Sequence, residues 1–250
     1  MRPPLHVLHA GSGEGPALVL LHYFAGSALS WELVVERLAP SCRVVAPSLR
    51  GFGRSPAPAP GLTLADYADD VAEAAAGLGR YVLVGHSMGG KVAMLLASRH
   101  PPGLAGLALI APSPPTPEPI PDRAAMLAAC GDPTAAARTA RQISARAGEP
   151  RVLERIMGDN LATSRIAWTW WVEAGSRDDI AAEAARIAVP TLAVAAADDE
   201  ALPPDVIERE VVGRIAGAEF TTLPGSRHLI PIDAPDALAA ALVAWAAKLA

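Results

Sequence analysis

Apolar positions along this chain follow two alternating rhythms. Short, almost unbroken aliphatic runs at residues 5–9, 17–22, 43–46, 81–84 and 104–110 read as β-strands, the last with Gly106 inside it. Between them, apolar residues three or four apart predict helices over 29–38, 62–78 and 91–100. Thr63 opens the second of these helices, with Asp66 three residues on as its capping partner. Strands this continuous in apolar residues fit a parallel sheet covered on both faces.

The alternation stops after Ile110. Residues 111–121 are crowded with prolines (Pro112, Pro114, Pro115, Pro117, Pro119, Pro121), too stiff for a helix or a central strand. From 122 to 186 every segment reads as helix, broken at Gly131-Asp132-Pro133, Gly148-Glu149-Pro150 and Gly175-Ser176. Strand pattern resumes at 191–196 and 219–223. Helices follow over 203–215 and 234–249, the latter with Asp233 as N-cap and Pro235 in its first turn. The expected organisation is an α/β core of residues 1–111 and 187–250. Residues 112–186 are then a helical cap inserted over the C-terminal edge of the sheet, where open α/β proteins place their sites.

Composition narrows the function classes. A chain of 250 residues, 51% hydrophobic and 19% charged, builds one sizeable core and is not disordered. Its net charge of −5, with no basic cluster, argues against nucleic acid as a partner. Cys42 and Cys130 lack metal-ligand spacing and read as two free thiols. The N-terminal stretch lacks a signal-peptide pattern, and no apolar run reaches the length of a membrane span. The expected location is therefore the cytoplasm.

The chemistry is carried by Val82-Leu83-Val84-Gly85-His86-Ser87-Met88-Gly89-Gly90: a strand, Gly-x-Ser-x-Gly, then a helix. A tight elbow between strand and helix lifts a serine hydroxyl out of the sheet. It also offers the amide of the next residue, Met88, to a developing oxyanion. Such a serine needs a base, and the base needs an anion to fix its tautomer. His228, on the loop after the strand at 219–223, is the candidate base. The turn Asp198-Asp199-Glu200 after the preceding strand supplies the candidate anion. The loop His22-Tyr23-Phe24-Ala25-Gly26-Ser27 supplies the second oxyanion donor, the amide of Phe24. His22 and His86 read as structural, holding loop backbone, and Lys91 as a helix-surface residue.

These pieces together resemble the α/β-hydrolase superfamily over essentially the whole chain, in particular small bacterial carboxylesterase-like members with a helical cap. The resemblance rests on the loop at 22–27, the turn Leu49-Arg50-Gly51-Phe52-Gly53-Arg54-Ser55, the elbow at 85–90, the acid loop at 199–203 and the loop at 225–228, with the order Ser, Asp, His. It implies Asp199 as the acid, four residues ahead of Pro203, with Asp198 as the alternative. Three positions depart from the family pattern. Tyr23 replaces the usual glycine after the loop histidine, Ser48 replaces an aspartate, and Arg227 precedes His228 where glycine is frequent. Arg227 is expected to pair with a surface carboxylate, the alternative being contact with an anionic substrate group.

The resemblance implies two-step acyl transfer on a small-molecule ester, with no metal and no organic cofactor. The rival readings are cofactor-free perhydrolase, carbon–carbon bond hydrolase and, outside enzymes, a ligand receptor. Family members that open epoxides or cleave carbon–halogen bonds use an aspartate nucleophile, and Ser87 speaks against both. Substrate choice should lie in the cap. Trp168 and Trp171 share a helix face there while Trp170 points elsewhere, so Trp168, Trp171 and Tyr23 are the candidate pocket walls.

Overall fold

The computed structural model describes residues 3–249; Met1, Arg2 and Ala250, the ends of the expected core segments, lie outside the described residues. Seven strands form one sheet: β1 (Val7–Ala10), β2 (Ala17–Leu21), β3 (Val44–Pro47), β4 (Tyr81–His86), β5 (Leu104–Ile110), β6 (Thr191–Ala196) and β7 (Glu219–Leu223). Their spatial order is β1-β3-β2-β4-β5-β6-β7, with β1 antiparallel to β3 and every other pairing parallel. Strands β2, β4 and β6 are buried along their whole length, which is why their sequences show no polar alternation.

Helix α1 (Glu32–Leu38) carries the chain from β2 to β3 in one direction across the sheet. Helices α2 (Leu64–Ala75) and α3 (Met88–Ala97) carry it from β3 to β4 and from β4 to β5 in the other. Right-handed crossovers therefore put α1 on one face and α2 with α3 on the opposite face. Packing agrees: α2 lies against α3, and α1 against the last helix, α11 (Pro235–Ala246). The reversal of direction opens a crevice at the C-terminal ends of β2 and β4, where Leu21 pairs with Gly85. The site forms there.

Between β5 and β6, where the sequence predicts a helical cap, the chain makes five α-helices. They are α4 (Arg123–Ala128), α5 (Pro133–Ile143), α6 (Pro150–Ala162), α7 (Arg165–Glu173) and α8 (Ala181–Ala184). Asp132 and Ser164 cap α5 and α7 through their side chains, and Pro133 and Pro150 open α5 and α6. After β6 come α9 (Pro204–Glu210), α10 (Ile230–Asp233) and α11 (Pro235–Ala246). Among the described residues, no helix is long and apolar enough to cross a membrane.

Several sequence expectations shift. The helix expected from 91 begins at Met88, directly on the elbow serine. The one expected over 62–78 is shorter, though Thr63 and Asp66 do form the reciprocal capping box. Asp233 is not the N-cap of the last helix. It ends α10, and its carboxylate accepts instead from Ser144 Oγ (2.6 Å) and the amides of Ala145 (2.9 Å) and Arg227 (3.0 Å).

Candidate active site

Ser87 sits between β4 and α3 with φ 53° and ψ −119°, a conformation costly for any residue with a side chain. Its amide donates to Ile110 O (3.0 Å), and its carbonyl accepts from Gly90 (2.8 Å) and Ser113 (3.0 Å). These bonds to β5 and to the chain beyond it hold the strained turn. The flanking glycines are required by contact. A Cβ on Gly85 would lie 2.5 Å from Gly89 O, and one on Gly89 2.6 Å from His22 O.

His228 follows β7 and bridges the other two groups. Its Nε2 lies 2.9 Å from Ser87 Oγ and its Nδ1 2.7 Å from Asp199 Oδ2. Asp199 is buried and its second oxygen accepts the amides of Ala201 (2.9 Å) and Leu202 (3.1 Å), whereas Asp198 is exposed. Burial works against charge on both partners, but their mutual attraction and hydrogen bond prevail. Asp199 is held below the usual carboxylate range and His228 above the usual imidazole value.

The loop after β2 is fixed by His22. Its Nε2 accepts the Leu49 amide (2.9 Å), which leaves the proton on Nδ1 to donate to Tyr23 O (2.7 Å). Burial drives this imidazole down to about 4, so it stays neutral. His86 is also buried and neutral, driven down to about 3, and its Nε2 donates to His228 O (2.8 Å). Ser48 supports the same loop by accepting the Ala28 amide (3.1 Å). The amides of Phe24, after β2, and Met88, at the start of α3, donate to no protein acceptor among the described residues.

A cavity of about 310 Å³ opens over Ser87 and His228. Its apolar wall is Phe24, Met126, Trp168 and Trp171, with Tyr23 and Ile156 nearby. Phe24 lies 4.9 Å from the Trp168 ring and stacks on Trp171 at 6.1 Å, while Trp168 Nε1 donates to Met126 O (2.8 Å). Trp170 turns the other way and packs on Tyr67 at 4.3 Å. Tyr23 is buried between the His86 ring and Ile156, where it narrows the cavity floor.

Three charged residues in and around the site depart from the sequence reading. Lys91 is not on the surface. It is fully buried, with Nζ donating to Thr116 O (3.1 Å) and Ser176 O (3.4 Å), and burial lowers its pKa to about 8. Helix α3 lies beneath the cap connections, so its outer side meets backbone carbonyls rather than water. Glu118, which the sequence did not single out, lines the cavity and accepts a hydrogen bond from Ser113 Oγ. Burial raises its pKa, against the opposing effects of Ser113 and His228. Only its place in the proline-rich run after β5 could have drawn attention to it. Arg227 pairs with no carboxylate among the described residues. Its guanidinium caps the carbonyls of Arg141 (2.7 Å) and Gln142 (3.5 Å) at the end of α5.

Residues 18–241 match the model of the alpha/beta hydrolase family. The chain belongs to that family. An esterase from Thermogutta terrifontis superposes with a TM-score of 0.85 at 26% identity, covering 98% of this chain and 93% of that one. The enol-lactonase from Burkholderia xenovorans superposes with a TM-score of 0.86 at 28% identity, covering 96% and 95%. In sequence, a soluble epoxide hydrolase from a Corynebacterium species is 40% identical over 95 residues, 37% of this chain and 32% of that enzyme. The chain spans about a third or less of the length of the curated relatives first matched this way.

Proposed function

We propose that this alpha/beta hydrolase is a serine hydrolase cleaving a small carboxylic ester, thioester or lactone through an acyl-enzyme on Ser87. The observation that carries the reading is the His228 imidazole, which spans Ser87 Oγ at 2.9 Å and Asp199 Oδ2 at 2.7 Å beside a half-enclosed cavity lined by Ser87 and His228. His228 removes the hydroxyl proton as Oγ attacks the carbonyl carbon, then delivers it to the leaving alcohol, thiol or ring oxygen. Water repeats the sequence on the acyl-enzyme and releases the acid. Asp199 keeps the Nδ1–H tautomer and stabilises the imidazolium.

The amides of Phe24 and Met88 are assigned to the oxyanion, where each donor contributes about 2.7–4 kcal/mol. Residues 112–186 act as the cap domain that sets acyl size, with Tyr23, Trp168 and Trp171 as walls. Solved esterase and enol-lactonase neighbours above 25% identity support ester chemistry, while the epoxide hydrolase likeness supports family membership. The test is hydrolysis of p-nitrophenyl esters of increasing acyl length by the wild type and Ser87→Ala. Turnover that vanishes in the variant is expected. Equal rates in both proteins, or no turnover of any ester by the wild type, would overturn the reading.

A further inference from the structure

The cavity lining is mixed. Besides the aromatic wall, α5 lines it with Ala135, Ala136, Ala140 and Ile143 and with the polar Arg138, Thr139 and Gln142, of which Arg138 and Gln142 are exposed. Arg138 has neither an ion-pair nor a hydrogen-bond partner among the described residues. Two more guanidinium groups stand beside it without a carboxylate. Arg141 reaches only Ala137 O (3.3 Å), and Arg227 only the carbonyls at the end of α5. Elsewhere, Arg37, Arg99, Arg146 and Arg155 each pair with a carboxylate, while the exposed Arg54, Arg151, Arg165 and Arg177 have no ion pair among the described residues; what sets Arg138 apart from these is that it lines the cavity. The acids facing this region are already engaged. Asp233 is occupied by Ser144 Oγ and three backbone amides, and Glu118 by Ser113.

An unpaired arginine on the wall of a half-enclosed cavity is a standing site for a carboxylate, because the planar fork binds both oxygens at once. We propose that Arg138 reads a carboxylate at the far end of the substrate, so that the cavity takes esters or lactones bearing an anionic group remote from the scissile carbonyl. The aromatic wall then holds the aliphatic part between the two ends. This rests on the serine hydrolase reading and names its substrate class.

The test compares two p-nitrophenyl esters of equal chain length: the hexanoate, which is neutral, and the adipate half-ester, which ends in a carboxylate. The readout is the ratio of kcat/KM, adipate over hexanoate. Wild type should favour the adipate ester. The ratio should fall about tenfold in Arg138→Gln, the scale of one lost charge-assisted hydrogen bond, and further in Arg138→Glu. Raised salt should reduce the wild-type ratio. Arg151→Gln, a change on an exposed residue of α6 away from the cavity lining, should leave the ratio unchanged. The same ratio in wild type and Arg138→Gln overturns the proposal. If wild type cleaves neither ester, the hydrolase reading fails, and calorimetry with adipate itself decides the arginine's role. Binding lost in Arg138→Gln upholds it; no binding, or equal binding by both, overturns it.

Discussion

One imidazole sets the pH behaviour of this site. A general base must be neutral to accept the Ser87 proton, and the Asp199 charge holds the His228 pKa above the ordinary 6.5 despite burial. The fraction of usable base therefore grows as pH rises through that raised value. A plot of kcat/KM against pH should climb with an inflection above 6.5. Asp199→Asn should lose the tautomer and the charge together, lowering kcat by ~10⁴-fold with the fold intact by circular dichroism. An unchanged profile in the variant would remove Asp199 from the mechanism. At this scale the sequence was legible where chain order constrained it: Ser87 and His228 stand on loops after β4 and β7, whose shared parallel direction brings both to one edge of the sheet. The choice of Asp199 over Asp198 came from its spacing to Pro203, and the structure shows the physical reason. Asp199 folds inward because its second oxygen takes the amides of Ala201 and Leu202. Glu118 was not legible, since a carboxylate between prolines carries no spacing to any partner.

Elements meet tightly where the site is made. Helix α3 approaches the end of β2 so closely that a methyl on Gly89 would press on the carbonyls of Leu21 and His22, at 2.7 and 2.6 Å. Gly89→Ala should therefore push the helix away from the loop that carries Phe24. We expect a loss of about 1–3 kcal/mol in urea unfolding and a fall in kcat larger than the change in KM, because Met88 moves with the helix. Stability and rates equal to wild type would show that the contact yields easily. A second tie runs from the cap to the same loop. The buried Asp159 of α6 accepts from Ser27 Oγ (2.7 Å) and Ser30 Oγ (3.2 Å), and Ser27 in turn caps the turn that leads into α1. Element existence was readable from periodicity, but element ends were not. The helix expected at 91 starts at Met88 because the strained Ser87 itself is its N-cap. Asp233 looked like a cap by position alone, and its carboxylate is drawn instead to the free amides after α5.

For the molecule as a whole, the most consequential misreading of the sequence concerns Lys91. A lysine after a helix start suggests solvent, yet here its ammonium donates to two carbonyls from separate parts of the segment between β5 and β6, Thr116 and Ser176. Its pKa of about 8 lies below the 10.5 of an exposed lysine, so between those values the unfolded chain holds a proton that the folded one has released. Folding then becomes more favourable as pH rises through that window. In urea unfolding at pH 7.5 and pH 10, the wild type should gain stability relative to Lys91→Met; a constant difference would mean the ammonium titrates normally. The meeting of Thr116 and Ser176 on one ammonium has a wider meaning. The carbonyls of Thr116 and Ser176, which flank α4 to α7, stand no farther apart than two hydrogen bonds end to end, so the sheet experiences those four helices as little more than a tight loop. A helical block of different size and lining, with ends equally close, could be grafted between them without disturbing a strand. In such a lineage, the machinery for breaking a bond and the preference for which molecule carries it can be inherited separately.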